Sequence, residues 1–318
     1  MANSVLSAPY FHNEEAAYAL IEAHIWADGR VCPHCGVVGE SGKLAPQMTK
    51  ASKKNPEGKP VIGLYKCYAC RGQFTVRKGT IFEESRLPLR LWLQAIHMLC
   101  SSKKGFSTRQ MQRILGCGMK TAWHLTHRIR EAMKDGSIGN LGGEGHTVEV
   151  DETYIGQKKG VAKPRGGSRH MNAVVSLVQR GGKVKSFHVE KANKATVAHI
   201  VMANVAKESR LHTDESHLYK GADGVFLSHE TVNHGRDEYV RGDVTTNTIE
   251  NYFSVFKRGM RGVYQHCDEK HLHRYLAEFD FRYNNRSALG VEDEARTINA
   301  IKGAKGKRLS YRSAGDRA

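Results

Sequence analysis

Four cysteines in two short pairs are the clearest chemical signal in the sequence. Cys32 and Cys35 form one Cys-x-x-Cys pair, and Cys67 and Cys70 form a second. Four thiolates suit tetrahedral Zn²⁺, and two such turns converge in a zinc ribbon. Two redox dithiols are the alternative interpretation, but no βαβ pattern surrounds either pair. We therefore expect a structural Zn²⁺ site that holds together a small N-terminal domain.

Three acidic residues are candidates for a second kind of metal site. Asp151 lies in the middle of an apolar strand pattern, Asp214 ends another, and Glu250 lies on a predicted helix. A carboxylate within an apolar strand needs a cation or a hydrogen-bond partner. Three such acids can hold two Mg²⁺ ions roughly 3.5–4 Å apart and support attack on a phosphate. Taken singly, Asp214 also fits a helix N-cap, and Glu250 an exposed partner of Ser254 or Lys257.

Residues 106–133 predict two helices joined by a short glycine-containing turn, which is the pattern of a helix-turn-helix. The second helix carries Lys120, Thr121, His124 and Arg128 on the face opposite its apolar stripe. Residues at the start of a recognition helix contact base edges. We therefore expect the first three to face bases and Arg128 to contact a phosphate. A helical hairpin inside a linker domain is the alternative interpretation.

The elements that position these residues fall into a helical N-terminal part and a C-terminal α/β part. Apolar periodicity predicts helices at 12–27, 87–104, 195–207, about 246–261 and 268–285, and strands at 147–155, 172–179, 183–189 and 210–214. We expect four regions: an N-terminal helix and four-cysteine zinc ribbon at 1–86, a helical DNA-binding region at 87–135, a catalytic α/β domain at 146–290, and a basic, largely mobile tail at 291–318.

Composition indicates the partner. The 318 residues include 49 Lys and Arg against 32 Asp and Glu, which gives a net charge of +17. Double-stranded DNA accounts for this excess, because each cation that neutralises a phosphate releases counterions. A membrane surface is the rival, but no apolar run of about 18 residues and no basic amphipathic anchor is present. Seven cysteines and no secretion signal favour a reducing cytoplasm. A basic protein without a polyanionic partner is the remaining alternative.

Six ordered motifs resemble a known family over nearly the whole chain. They are CPHCG (32–36), KGTIFEESRLPL (78–89), VDETYIG (150–156), VNH (232–234), TNTIENYFSVFKRG (246–259) and KHLHRYLAEFDFRYN (270–284). The chain resembles IS1595-type insertion-sequence transposases that carry the ISXO2-like transposase domain. The resemblance implies an RNase H-like α/β fold, a mixed sheet flanked by helices, with a DDE-type site for Mg²⁺ or Mn²⁺. It also implies strand cleavage and strand transfer at terminal inverted repeats by a homo-oligomer on DNA, associated with the bacterial nucleoid.

The resemblance also assigns residues. Asp151 matches the first acid of the family and Asp214 the second. The third position is Glu or Asn in the family, and this chain offers Glu250 with Asn247 and Asn251 in the same helix. We favour Glu250, because a carboxylate binds Mg²⁺ better than an amide.

Two further residues enter through the same resemblance. Lys257 lies two turns after Glu250 on the same helix face, as the family arrangement requires. His234 matches a recurrent family histidine and is a candidate contact to the scissile phosphate, with an ordinary loop histidine as the alternative. Two rival functions remain open: a non-catalytic zinc-ribbon and helix-turn-helix regulator, and an RNase H-fold nuclease that cuts without joining.

Overall fold

A computed structural model describes residues 4–45, 47–51, 56–58, 60–222 and 224–310. Part of the polar loop between the cysteine pairs and the last eight residues of the expected tail lie outside the described residues. The α-helices are α1 (Glu14–Ile25), α2 (Leu89–Ser101), α3 (Thr108–Leu115), α4 (Met119–Ala132), α5 (Lys194–Asn204), α6 (Asn247–Gly259), α7 (Leu272–Asn284) and α8 (Asp293–Lys302). The strands are β1 (Ser41–Lys43), β2 (Gln47–Met48), β3 (Pro60–Val61), β4 (Tyr65–Cys67), β5 (Gln73–Phe74), β6 (Thr147–Ile155), β7 (Asn172–Gln179), β8 (Val184–Val189), β9 (Arg210–Asp214), β10 (Ser228–Val232), β11 (Val240–Arg241) and β12 (Val244–Thr245).

The chain divides into two compact units. Unit 1 comprises 1–101, 108–133 and the residues from 293 onward, and unit 2 comprises 102–107 and 134–292. In the part of the chain that the structure describes, no helix is long and apolar enough to cross a membrane.

Unit 1 contains a small β subdomain that has little core of its own. Strand β4 pairs antiparallel with β1 and with β5. The buried cluster beside this sheet consists of Cys32, Tyr65, Cys67 and Phe74, with Trp26 packed against it. A cluster of this size buries too little apolar surface to hold a fold by itself, which is why such domains use a metal.

The helices of unit 1 confirm several predictions and correct one. The helices predicted at 12–27 and 87–104 are α1 and α2, and the pair predicted within 106–133 is α3 and α4. The segment after residue 290, for which composition predicts a mobile tail, instead begins with the packed helix α8. Its residues Arg296, Thr297, Ala300 and Ile301 are buried at three- and four-residue spacing. Because charged residues surround these buried positions, the composition of the segment does not indicate a helix.

Unit 2 is built on a five-stranded mixed sheet in the order β10-β9-β6-β7-β8. Strands β6, β7 and β8 are antiparallel neighbours, whereas β9 is parallel to β6 and β10 is parallel to β9. The four predicted strands are confirmed. Strand β10 was not predicted, because its sequence SHETV is mostly polar.

Both faces of this sheet are covered by helices. On one face, Val148 and Val150 of β6 belong to a core that includes residues of α5. On the other face, Val174 and Val178 of β7 pack with α6 and α7. Because side chains alternate along a strand, Glu149 and Asp151 point to the second face. The first and third candidate acids therefore lie on the same side of the sheet.

Candidate active site and zinc site

The sheet register places the first two acids side by side. In the parallel β6–β9 ladder, Glu149 pairs with His212. Two residues further along each strand come Asp151 and Asp214, so they stand at the same level on neighbouring strands, which lie about 4.8 Å apart. Residues at the same level of a ladder point to the same face. The two carboxylates therefore face the side of the sheet that α6 covers.

A buried carboxylate of β6 fixes the start of α6. The Glu149 side chain is fully buried and accepts hydrogen bonds from the Ile249 backbone N–H and the Thr248 hydroxyl, both at 2.9 Å. It also forms an ion pair with Arg180 at 2.6 Å. Because Glu250 follows Ile249 directly, these bonds hold the third candidate acid beside the strand that carries the first.

Arg180 binds the segment that leads into α6. Its guanidinium donates to the backbone carbonyls of Asp243 at 2.7 Å and Thr245 at 2.8 Å, and it lies 3.1 Å from Nδ1 of the buried His212. A planar guanidinium with several fixed donors is suited to such a multiple contact. Together with Glu149, this residue ties the β7–β8 turn, β9 and α6 into one framework.

His234 lies between the second and third acids. Its Nε2 is 3.7 Å from Oε1 of Glu250, and the Thr246 hydroxyl donates to the same carboxylate oxygen at 2.8 Å. The backbone N–H groups of His234 and Gly235 both donate to the carboxylate of Glu215 at 3.0 Å. Glu215 directly follows Asp214 in the chain. The structure therefore brings the predicted histidine to the edge where the acids meet.

Burial is the largest influence on the pKa values of Asp151 and Asp214. Burial raises the pKa of Asp151 to about 8, with further contributions from the charges of Glu152, Asp214 and Glu250. Burial also raises the pKa of Asp214. Carboxylates in such surroundings gain from a nearby cation. No three of the described acids offer oxygens that all lie within 4.8 Å of one another.

Four residues of this framework were missed by the sequence reasoning: Glu149, Glu152, Arg180 and Tyr219. Glu152 follows Asp151 and points to the opposite face, where it accepts the hydroxyl of Tyr219 at 2.7 Å. Its pKa is raised by burial and by the charge of Asp214. The alternation of β6 was a usable signal for Glu149, since it places this residue on the same face as Asp151. No sequence signal marks Arg180, whose neighbours indicate only a hairpin turn.

The four cysteines form a ready tetrahedral site. All four Sγ atoms lie within 4.8 Å of one another. The Sγ atoms of Cys32 and Cys70 are 3.7 Å apart, and those of Cys35 and Cys67 are also 3.7 Å apart. Four thiolates about 2.3 Å from a central Zn²⁺ in tetrahedral geometry stand roughly 3.8 Å from one another. The donor set and its spacing therefore fit zinc.

Comparison with known proteins matches two segments of the chain to transposase domain models. Residues 140–284 match the family model of the ISXO2-like transposase domain, and this segment contains Asp151, Asp214 and Glu250. Residues 12–73 match the transposase zinc-ribbon domain, which contains the four cysteines. Two separate segments of the chain are therefore similar to domains of IS1595-type transposases. A relative described as an uncharacterized protein in transposable element ISH50 of Halobacterium salinarum is 27% identical over 291 residues, covering 86% of this chain and 91% of that protein.

Three further candidates, Lys257, Asn247 and Asn251, lie on α6. The Nζ atom of Lys257 lies 6.0 Å from the ring centre of Phe253. Seven residues of helix separate it from Glu250, a rise of about 10 Å. Among the described residues, Lys257 forms no ion pair with a carboxylate. Asn247 and Asn251 are exposed on the same turn as Glu250.

The predicted base-reading residues line a cavity in unit 1. Lys120 and Thr121 are exposed and His124 is half-buried at the start of α4. Together with the segment 84–87, they line a cavity of about 560 Å³. The start of α4 is thus accessible from solvent, but one side of it is bounded by a neighbouring loop.

Arg128 occupies a different environment from the other three α4 candidates. It is 5% exposed, and its guanidinium donates to the backbone carbonyls of Leu309 at 2.9 Å, Ile81 at 3.0 Å and Glu83 at 2.7 Å. Burial lowers its pKa from the usual value of an arginine. A guanidinium held in this way is a structural group, so we do not include Arg128 in the proposed DNA surface.

Proposed function

We propose that the chain is a DNA transposase that binds the terminal inverted repeats of an insertion sequence and carries out metal-dependent strand cleavage and strand transfer. The observation that carries the proposal is the convergence of Asp151, Asp214 and Glu250, with His234 between the last two. These residues come from two parallel strands, a loop and a helix that are far apart in sequence. Asp151 and Asp214 are half-buried and Glu250 is exposed; crowding such carboxylates costs stability, and a bound cation offsets that cost.

The sheet supports an RNase H-like assignment for the catalytic domain. In chain order, the first three strands of the sheet (β6, β7 and β8) are antiparallel neighbours. The last two (β9 and β10) run parallel to β6. The first acid lies in the first strand and the second acid ends the fourth. Helix α6 then brings the third acid to the same side. We retain the expected limits of 146–290 for this domain, 1–86 for the zinc-ribbon region and 87–135 for the helical DNA-binding region.

The residues of the site have separate roles in the proposed reaction. A pair of Mg²⁺ or Mn²⁺ ions bound by Asp151, Asp214 and Glu250 would activate the attacking water or 3′-hydroxyl and stabilise the leaving oxygen. Glu149 positions Glu250 through the first turn of α6. His234 presents its ring to the opening between the acids, where it can donate to an oxygen of the scissile phosphate.

DNA recognition is assigned to unit 1. The exposed residues Lys120 and Thr121, with His124, lie at the start of the second helix of the α3–α4 pair, where a recognition helix contacts bases. The four-cysteine zinc ribbon would stabilise the N-terminal subdomain. Lys257, on α6, is assigned to the DNA backbone near the acids, since it forms no ion pair with them. The active species would be a homo-oligomer on double-stranded DNA.

The decisive test substitutes the three acids one at a time. Glu250→Gln, Asp151→Asn and Asp214→Asn should each abolish Mg²⁺-dependent cleavage of a duplex that carries the element's end, while folding and DNA binding persist. Asn247→Ala and Asn251→Ala are the matched controls on the same turn of α6. If either control abolishes cleavage while Glu250→Gln remains active, the third ligand is that asparagine.

The same preparation separates the rival functions. A transposase should join the cleaved end to a plasmid target, and the joined product is detected by gel and sequencing. Cleavage without any joined product would instead support a nuclease. DNA binding without cleavage in Mg²⁺ or Mn²⁺ would support a regulator.

A further inference from the structure

The loop between β6 and β7 is the most uniformly basic segment of unit 2. We call residues 156–171 the β6–β7 arm. It contains the five cations Lys158, Lys159, Lys163, Arg165 and Arg169. No Asp or Glu occurs anywhere between Glu152 and Glu190. The arm therefore concentrates positive charge with no local compensation.

Most of these cations have no partner in the described part of the protein. Lys158 is the exception, since its Nζ donates to the backbone carbonyl of Glu190 at 2.7 Å. The other four side chains are exposed and form neither an ion pair nor a hydrogen bond with any described residue. Arg210, by contrast, is paired with Glu230 at 3.0 Å. The arm is thus an unpaired cationic surface.

The arm leaves the sheet at the edge where the acids lie. Strand β6 continues four residues beyond Asp151 to Ile155, a distance of about 13 Å. The parallel strands β9 and β10 end at the same edge, at Asp214 and Val232. The base of the arm therefore lies farther from Asp151 than the Debye length of about 8 Å at physiological salt. The distance of about 13 Å along β6 corresponds to about four nucleotides of one DNA strand at 3.4 Å each.

We propose that the β6–β7 arm binds the phosphate backbone of duplex DNA on one side of the reacting phosphate, without reading its sequence. The identity of the reaction rests on the proposed function. Lysine and arginine side chains give charge-driven, sequence-independent binding. Gly160 and Gly167, with φ values of +77° and +80°, give the arm two left-handed turn positions. An anionic membrane surface is disfavoured, because the arm contains no Trp, Phe or Leu to anchor such a contact.

The test compares two pairs of exposed cations. The arm variant is Lys163→Ala with Arg165→Ala. The matched control is Lys183→Ala with Lys207→Ala, which lie in the β7–β8 turn and just before β9, at the opposite edge of the sheet. Each variant removes two positive charges from exposed loops. A third variant, Lys163→Arg with Arg165→Lys, keeps the charge and changes the side chains.

Affinity for duplex DNA is measured at several salt concentrations in the absence of divalent cations. The slope of log K against log salt should become shallower by about 0.9 for each phosphate that the protein no longer neutralises, or about 1.8 for the arm variant. The opposite-edge control and the charge-preserving variant should keep the parental slope. Equal slopes for the arm variant and the opposite-edge control would overturn the proposal. Loss of binding to phosphatidylserine vesicles with an unchanged DNA slope would also overturn it.

Assays of terminal-repeat cleavage and of strand transfer into target DNA distinguish which DNA the arm contacts. If the arm holds target DNA, its variant should cleave terminal-repeat duplex normally and lose strand transfer. If it holds the DNA that flanks the element's end, cleavage should fall as well. The salt slope does not depend on catalysis. A shallower slope in the arm variant would thus support the DNA contact even if the acid variants showed that the chain is no transposase.

Discussion

Asp151→Asn should make the cation-free protein more stable at neutral pH, although it should abolish catalysis. An ordinary aspartate in an unfolded chain has a pKa of about 3.9. In the folded protein, burial and the neighbouring acids raise the pKa of Asp151 to about 8. The folded state therefore prefers the protonated carboxyl. The stability that this preference gives is fully present below about pH 4 and is lost progressively as the pH rises from there to about 8.

The size of the effect follows from this pKa difference. Each pH unit between the unfolded and folded pKa values costs about 1.4 kcal/mol of unfolding free energy. About three units separate pH 7 from the unfolded pKa, which gives an upper bound of about 4 kcal/mol for the cost of ionising Asp151. The variant avoids this cost, but burying the amide of the new asparagine reduces the gain by about 1–2 kcal/mol. We expect Asp151→Asn to stabilise unit 2 by about 2–3 kcal/mol at pH 7 and not at all near pH 4.

Hydrogen exchange of peptides from β6 and β7 measures this directly, at both pH values and without divalent cations. Trp26, Trp92 and Trp123 are the protein's three tryptophans and all lie in unit 1, so tryptophan fluorescence provides an internal control that should not change. Saturating Mg²⁺ should stabilise the parent and not the variant, because binding to the folded state alone shifts its stability. Reduced protection of β6 in Asp151→Asn at pH 7 without Mg²⁺ would refute the reasoning.

Three further predictions concern the framework around the sites. Chelation of Zn²⁺ should unfold the β subdomain and change the fluorescence of Trp26, which packs on its core, while unit 2 keeps its circular dichroism; loss of both units together would contradict this. Glu149→Gln should lower the unfolding free energy by about 3 kcal/mol, since it leaves Arg180 without its buried counter-charge, and should raise the Mg²⁺ concentration needed for cleavage; an unchanged Mg²⁺ requirement would exclude a positioning role. Lys120→Ala should reduce discrimination between terminal-repeat and random duplex by about 1–3 kcal/mol, whereas Arg128→Met should lower stability in urea and leave that discrimination intact; the opposite pattern would return Arg128 to the DNA surface.

The sequence predicts those features that depend on short-range spacing. The two Cys-x-x-Cys pairs specify four thiolates, and their 3.7 Å separations agree with the expected tetrahedron. The alternation of β6 predicts a strand with Asp151 on one face. Helix α6 follows from its apolar residues at helical spacing. In each case a few neighbouring residues contain the whole signal.

Long-range contacts explain what the sequence did not predict. Glu149 bonds to the Ile249 backbone one hundred residues away, and Arg128 bonds to the carbonyl of Leu309, 181 residues away. Neither contact leaves a local pattern, because the backbone atoms involved are ones that nearly every residue has. The same reasoning applies to the expected phosphate contact of Arg128: helix periodicity gives the face of a residue, but not what covers that face.

The buried charge of Glu149 accounts for the precision of the candidate site. A fully buried carboxylate is tolerated when its oxygens are occupied, and here they accept from Arg180, Thr248 and the Ile249 N–H. A shift of α6 by one turn would break two of these three bonds, those from Thr248 and Ile249, and leave a buried carboxylate oxygen without a donor. Such a loss costs about 1–3 kcal/mol for each unsatisfied buried group. Helix α6 is therefore held in one register against β6, and the side chain of Glu250 is held with it, before any cation binds. Glu149, whose oxygens all accept hydrogen bonds, thus holds the helix that carries Glu250 beside the strand of Asp151, although the candidate acids repel one another.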